Sequence, residues 1–558
     1  MTCFVGARHF NDTVNGISTQ AMKKWLIFPV KNGAKKHRCE IKHNGELAGS
    51  FEIEITDDQH ADWYAYLDIS AWQGEDLEVY IDQLPPGSKA LSMIRQVDYE
   101  YDRARLYREP GRGQIHFSPK RGWNNDPNGL VYYNGLYHLF FQHNPYGINW
   151  GNMHWGHATS KDLVHWTEIG EALYPDSSGT IFSGSGVVDI KNTSGLGTAD
   201  QPAPAIFCYT YDHSWTQGLA YTLDGKTFTK LPQAVLGKIS SGNRDPKITW
   251  YEPGQCWVMV LYVEEPDKHH TIHFYTSKNL LDWTFASKIA GGIDSDHYLY
   301  ECPDFYELPV DGDPNNKKWV LSGANAEYAI GTFDGKKFQP EYSRLKSVQS
   351  HGYYAAQTFS NDPKGRKIEI GWWQTNTGQG KSHFNQSMSL PMSLELRQTL
   401  EGPRLRRSPV VELETLRKKH YDFPGINIEP GKAYEVPVAS RPGDALEIIA
   451  DFQQQSPASK IQLNIRGIAL QYDPVKQLLK VGDREAHLKL QEQAPLKLHI
   501  YVDRTGLEIF ANDGLFYMPV NINLDMQEEK ISLESPGKFS TVNLQVYELA
   551  NCYFPQAG

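Results

Sequence analysis

Cysteine is scarce. There are six in 558 residues: Cys3, Cys39, Cys208, Cys256, Cys302 and Cys552. None forms a CxxC pair, which argues against a zinc site or a small disulfide scaffold. No long apolar run exists either. The longest stretch, Cys256 to Val263, is far short of the ~20 residues that a spanning helix needs. Basic residues are outnumbered 55 to 66, for a net charge of −11. A nucleic-acid binder needs a cationic face, so that class is excluded, as is attraction to an anionic membrane. Met1 to Gln20 contains no apolar signal segment. The compartment stays open: cytoplasmic, or secreted or periplasmic if a leader was removed. Tryptophan is missing from the last 185 residues, although 14 occur up to Trp373.

What is present is aromatic and strand-forming. Trp, Tyr and Phe make up 12% of the chain, which favours β structure. The length exceeds one hydrophobic core, which stops growing near ~250–300 residues. Residues 1–22 read as a flexible N-terminus. Residues 23–105 read as a small β-sandwich-like domain, with strands at Trp25–Val30 and Ala65–Ile69. A Tyr-rich connector precedes a long unit at 112–407. A short helical pattern at Val410–Lys419 then leads to a second β-sandwich at 420–558. In that last unit Leu496, Leu498, Ile500 and Val502 alternate with polar residues, and Asn512–Gly514 reads as a hairpin turn.

The central unit carries a weak repeat. Ser160–Trp166 resembles Ser277–Trp283, and Thr222–Phe228 resembles Thr332–Phe338. Each begins with a hydroxyl residue six positions before an aromatic. The four starts are spaced 62, 55 and 55 residues apart. Units of this size with several short strands are propeller blades. About 295 residues then predict five of them.

Three acids share one place in that repeat. Asp126, Asp245 and Glu301 precede the next repeat start by 34, 32 and 31 residues. Equivalent positions on blades converge on the axis, so the three carboxylates are expected to meet. Two carboxylates flanking a glycosidic bond can hydrolyse it, and a third raises the acid's pKa by repulsion. An Asp-Pro-Asn-Gly segment alone would be an ordinary turn. A calcium site needs clustered oxygen ligands, which these dispersed acids do not supply.

The segments Trp123–Gly129, Phe141–Trp166, Phe182–Ser185, Arg244–Pro246 and Glu301–Pro303 resemble glycoside hydrolase family 32, the invertases, inulinases and levanases. The resemblance covers about 112–558. It implies an all-β fold, a five-bladed β-propeller with a C-terminal β-sandwich. Here a small N-terminal β-domain is added, resembling one attached to some levanase-like members. It also implies a retaining, exo-acting hydrolase of levan, inulin or sucrose with no cofactor and no metal. By motif, Asp126 is the implied nucleophile, Glu301 the acid/base and Asp245 the transition-state stabiliser. Asn125, Gln142, Trp150, Phe182, Ser183, Arg244 and Trp372 are implied to bind fructose. Arg244 is expected beside Asp245 and the nucleophile, keeping carboxylates ionised. Asn124 departs from the family pattern, and Thr375–Asn385 matches it poorly. A fructosyltransferase sharing the intermediate, or a non-catalytic carbohydrate-binding propeller, would carry similar motifs. Linkage preference and oligomeric state are not legible.

Overall fold

A computed structural model describes residues 9–10, 16–58, 60–349, 352–375, 377, 382–438, 441, 443–453, 460–490, 494–525, 527–535 and 541–554. Among these, nearly all regular structure is strand. No helix of the described residues is long and apolar enough to cross a membrane.

Five sheets, antiparallel but for one short parallel pair, follow one another through the central unit. Their innermost strands are Gly122–Tyr133, Ile181–Val188, Arg244–Tyr251, Asp304–Pro309 and Tyr353–Thr358. We number these sheets blades 1 to 5. Side chains fill the wedge between neighbouring blades. Val131, Trp155 and Phe207 lie between blades 1 and 2, and Ile206, Met259 and Leu261 between 2 and 3. Tyr306, Val320 and Leu394 lie between blades 4 and 5. Blade 5 closes the ring onto blade 1, with Phe384–Asn385 pairing in parallel with Gly122–Trp123.

The repeat has a local physical cause. In blades 1 to 4 it forms the turn between the third and fourth strands, and an Asx side chain holds that turn. Asp162 accepts from the N–H groups of Val164 and His165, and Asp224 from those of Lys226 and Thr227. Asn279 accepts from Leu281 and Asp282, and Asp334 from Lys336 and Lys337. Trp166 and Trp283 sit half-buried at the edges of the cores, whereas Trp155 is buried completely.

Two six-stranded sheets enclose the C-terminal core, which contains Ile448, Leu463, Leu470 and Ile509. Asn512–Gly514 turns between paired strands. The pattern at 410–419 is not an α-helix. It is a 3-10 stretch at Val411–Leu416, and Arg417 already begins a sandwich strand. Register with Leu549 and Glu548 wins there over a weak helical preference. Buried charges join sandwich to propeller. His116 bonds Asp503 at 2.7 Å and Glu508 at 3.0 Å, all three fully enclosed.

The N-terminal region packs a five-stranded and a three-stranded sheet. Residues 1–8 and 11–15 of the expected flexible terminus lie outside the described residues. Gly16–Gln20, in contrast to that expectation, is a strand paired with Asp76–Ile81, and Ile17 and Ala21 are buried. A five-residue backbone ladder and these two apolar residues together hold an otherwise polar segment.

Candidate active site

The innermost strands are irregular at one level. In blade 1, Asn125 and Asp126 together face the single residue Gln142. In blade 2, Phe182 and Ser183 face Thr210, and in blade 3 Asp245 and Pro246 face Leu261. Blade 5 repeats this with Ala355 and Ala356. Two residues against one is a β-bulge, which bends the strand and re-aims its side chains. Blade 4 places Glu301 and Cys302 just before its first strand. Asp245, Glu301 and Cys302 hold positive φ angles of 63°, 51° and 38°. Such conformations are costly for residues with a Cβ and gather at functional sites. Proline follows at 127, 246 and 303. Its missing N–H is tolerated within a bulge at 246, beside one at 127 and ahead of a strand at 303.

The bulges need close packing. A Cβ on Gly184 would lie 1.9 Å from the Cys208 carbonyl oxygen, so only glycine fits beside Ser183.

All three acids come together around Cys302. Its thiol lies 3.4 Å from Oδ2 of Asp126 and 3.4 Å from Oδ2 of Asp245. Its backbone N–H donates to Asp245 Oδ2 at 3.0 Å. Asp126 accepts from Ser183 Oγ at 2.6 Å and from Asn125 Nδ2 at 3.1 Å. Trp123 Nε1 fixes the Asn125 amide by donating to its Oδ1 at 3.0 Å. Among the described residues no group of three or more His, Cys, Asp or Glu is arranged to hold a metal ion.

Burial governs the charges. It raises the pKa of Asp126, against the hydrogen bonds of Ser183 and Asn125, which favour the carboxylate. Asp245 is pushed up to about 7, chiefly by burial. Arg244 opposes that shift, while Glu301 and Asp126 add to it. Burial and the same three carboxylates hold the Cys302 thiol protonated.

Arg244 stands beside Asp245 as expected, but its second partner is Glu301 and not the nucleophile. Its Nη2 donates to Glu301 Oε1 at 2.7 Å, and Asp245 is 3.9 Å from its Nε. No contact to Asp126 joins these, so the guanidinium serves the Glu301 side of the site. The bulge explains this, because Arg244 precedes the two bulged residues and Asp245 is one of them. Arg244 is steadied by Tyr262, whose ring it covers at 4.7 Å, and by Tyr300.

The aromatic rim has two sides. Trp150, half exposed, meets Phe182 edge-on at 6.1 Å, and Phe182 meets Trp215 likewise. Opposite, Trp372 lies edge-on to Trp123 and Tyr354, with Nε1 on Gln386. Gln142 is buried beneath the blade 1 bulge, its amide nitrogen without a protein partner among the described residues. Asn124, the departure from the family pattern, is fully buried on the neighbouring position. Of the poorly matching stretch, residues 376 and 378–381 lie outside the described residues.

Tyr354 and Trp215 were not visible as site residues in the sequence. Tyr354 donates its hydroxyl to Glu301 Oε2 at 2.9 Å. Nothing in Gly352-Tyr-Tyr354 distinguishes it from an ordinary strand aromatic.

Comparison with known proteins places this geometry. Residues 116–409 match the Glycosyl hydrolases family 32 N-terminal domain, and 412–548 match the family 32 C-terminal domain. A levanase of Bacillus subtilis is 39% identical over 456 residues, covering 73% of this chain and 66% of that protein. An extracellular exo-inulinase of Aspergillus niger is 31% identical over 486 residues, covering 73% of this chain and 88% of its own length. The crystal structure of exo-inulinase from Aspergillus awamori superimposes with a TM-score of 0.71 at 27% identity, covering 81% of this chain and all of that one. With both family domains matched in order along the propeller and the sandwich, the chain belongs to glycosyl hydrolase family 32.

Proposed function

We propose that this chain is a retaining, exo-acting β-fructosidase that releases terminal fructose from levan, inulin or sucrose. One observation carries the reading: Asp126, Asp245 and Glu301, from three blades, face one small space around Cys302. The levanase and exo-inulinase relatives support the substrate class. So does a neighbouring structure, 26% identical, described as a complex with sucrose.

In the first displacement an oxygen of Asp126 attacks the anomeric carbon of the fructosyl unit. The bond to the leaving oxygen breaks, and Glu301 gives that oxygen its proton. In the second, Glu301 takes a proton from water, which attacks the same carbon and frees Asp126. Asp245 accepts hydrogen bonds from fructose hydroxyls as positive charge develops on the ring. Asn125 and Ser183 hold the Asp126 carboxylate in one orientation, and Arg244 and Tyr354 do so for Glu301. Gln142, Trp150, Phe182 and Trp372 line the fructose pocket.

The test is fructose release from levan, inulin and sucrose in parallel, with products separated by chromatography. Asp126→Asn and Glu301→Gln are expected to lower kcat by several orders of magnitude with melting temperature preserved. Near-wild-type turnover in either variant overturns the assignment. Growth of oligosaccharides at high sucrose would make the enzyme a transferase through the same intermediate.

A further inference from the structure

The N-terminal β-domain lies outside both matched family regions, yet it holds the segment that forms the rim of the site. Residues 144–152 of blade 1 leave the propeller and enter that domain. Tyr146 and Ile148 are buried members of its core, and Phe51 stacks on Tyr146 at 3.6 Å, nearly parallel. Beyond this apolar anchor stands a polar latch. Asn152 Nδ2 donates to the Glu52 carbonyl at 2.7 Å, and Glu52 N–H donates to Asn152 Oδ1 at 2.8 Å. Asn152 thus pairs with strand Glu46–Ile53 as a backbone would. Asn144 ties the segment internally, donating to the Asn149 carbonyl at 2.8 Å and accepting from Asn152. Trp150 stands between these fixed points.

The opposite side of the rim is tied to the same segment. Asn385 donates to the Ile148 carbonyl at 3.1 Å and pairs with Trp123 in the parallel ladder. Its neighbour Gln386 accepts from Trp372. A second strut comes from Asn32 of the N-terminal domain, which donates to the Ser382 carbonyl at 2.8 Å. Both aromatic walls are therefore referenced to one buried anchor outside the propeller. An exposed indole on a free loop would lose conformational entropy on meeting a sugar, whereas an anchored one has already lost it.

We propose that the N-terminal β-domain is a specificity-determining support of the active site, with Asn152 and Phe51 as positioning residues. It presets Trp150 and the 382–386 segment, and so sets how the terminal fructosyl unit and the fructan that follows it are held. The inference rests on the reading of Trp150 as a wall of the pocket.

The test uses the full chain. Asn152 has φ 45°, so Asn152→Gly keeps the backbone and removes the latch. Phe51→Leu weakens the stack while keeping bulk, and Trp150→Ala removes the wall itself. KM and kcat are measured on sucrose and on levan- and inulin-derived oligosaccharides, with melting curves for each variant. Asn152→Gly and Phe51→Leu are expected to raise KM for the oligosaccharides roughly 5- to 20-fold, with kcat within about twofold, the pattern of lost uniform binding. Asn152→Asp, which keeps the acceptor for Glu52 N–H, is expected to recover part of that loss. Unchanged KM in both support variants, with KM raised in Trp150→Ala, overturns the proposal and leaves the pocket reading standing. Unchanged KM in Trp150→Ala as well overturns both. A fall in kcat with KM unchanged on every substrate also overturns the proposal.

Discussion

Arg244 reaches across the site to Glu301, donating from Nη2 to Oε1 at 2.7 Å, while Tyr354 donates to the other oxygen at 2.9 Å. Both oxygens of the proposed acid/base are thereby held before substrate arrives. The fructosyl unit meets a carboxyl group already oriented, which is where an enzyme gains by preorganisation.

Replacing Arg244 by Gln removes the charged partner of a partly buried carboxylate. The expected result is a drop in kcat/KM on sucrose of about 10²–10³, since charge-assisted bonds in a shielded site are worth more than neutral ones. Arg244→Lys is expected to recover only a small part, because a lysine lacks the planar fork. Steady-state kinetics on both variants, with melting curves, separate this from unfolding.

Tyr354→Phe deletes one hydroxyl and keeps the ring that packs edge-on against Trp372. A hydrogen bond to a charged group is worth ~1.5–3 kcal/mol, so kcat/KM is expected to fall about 10- to 100-fold. Thermal melting should stay within a few degrees of wild type. Equal activity would remove Tyr354 from the site.

Asp245 is expected to cost stability while serving catalysis. Its folded pKa of about 7 lies above the ordinary 3.8. Below both values the group is neutral in either state, and no penalty exists. As pH rises from about 4 through about 7, the folded protein must ionise a buried group, and stability falls by up to ~4 kcal/mol. Asp245→Asn escapes this. Its melting temperature is expected to match wild type near pH 4 and exceed it by several degrees at pH 8, with turnover reduced at least 10²-fold. Calorimetry across that range checks the sign.

The His116 cluster predicts an alkaline limit. Burial alone would depress the imidazole, but Asp503 and Glu508 outweigh it and raise it to about 9. That stabilisation is complete below the unfolded value of 6.5 and is lost as pH climbs through about 9, on the order of 3 kcal/mol. Asp503, held below its ordinary pKa despite burial, gives the opposite limb at low pH. His116→Asn removes the cation between two buried carboxylates, leaving them only neutral donors such as Ile115 N–H and the Tyr517 hydroxyl, and is expected to destabilise by ~3–5 kcal/mol at pH 7. Calorimetric melting from pH 6 to 10 measures both effects.

The turns between third and fourth strands were legible because each is a local event. A hydroxyl residue, an Asx two positions on and an aromatic after it act over seven residues, so their spacing survives in the sequence and counts the blades. The acids were legible for a related reason: each sits at one offset from that turn, and each or its neighbour precedes proline. The extended pattern of the sandwich strands was equally local, as was the lack of any apolar run.

What lay beyond reach depends on distant pairings. Arg244 is adjacent to Asp245 in sequence, but the bulge turns it to Glu301, 57 residues away. Tyr354 becomes a site residue only because blade 5 closes the ring beside blade 4. Gly16–Gln20 reads as a polar tail until Asp76–Ile81 supplies its partner strand. The anchoring of residues 144–152 in a domain whose Glu52 lies 100 residues before Asn152 leaves no mark on either sequence. The chain by itself determined repeat and fold class, and set three acids at nearly one offset in the repeat, because local turns and strand periodicity encode these. Which oxygen meets which donor, and what holds the rim, was decided only when strands far apart in sequence were packed together.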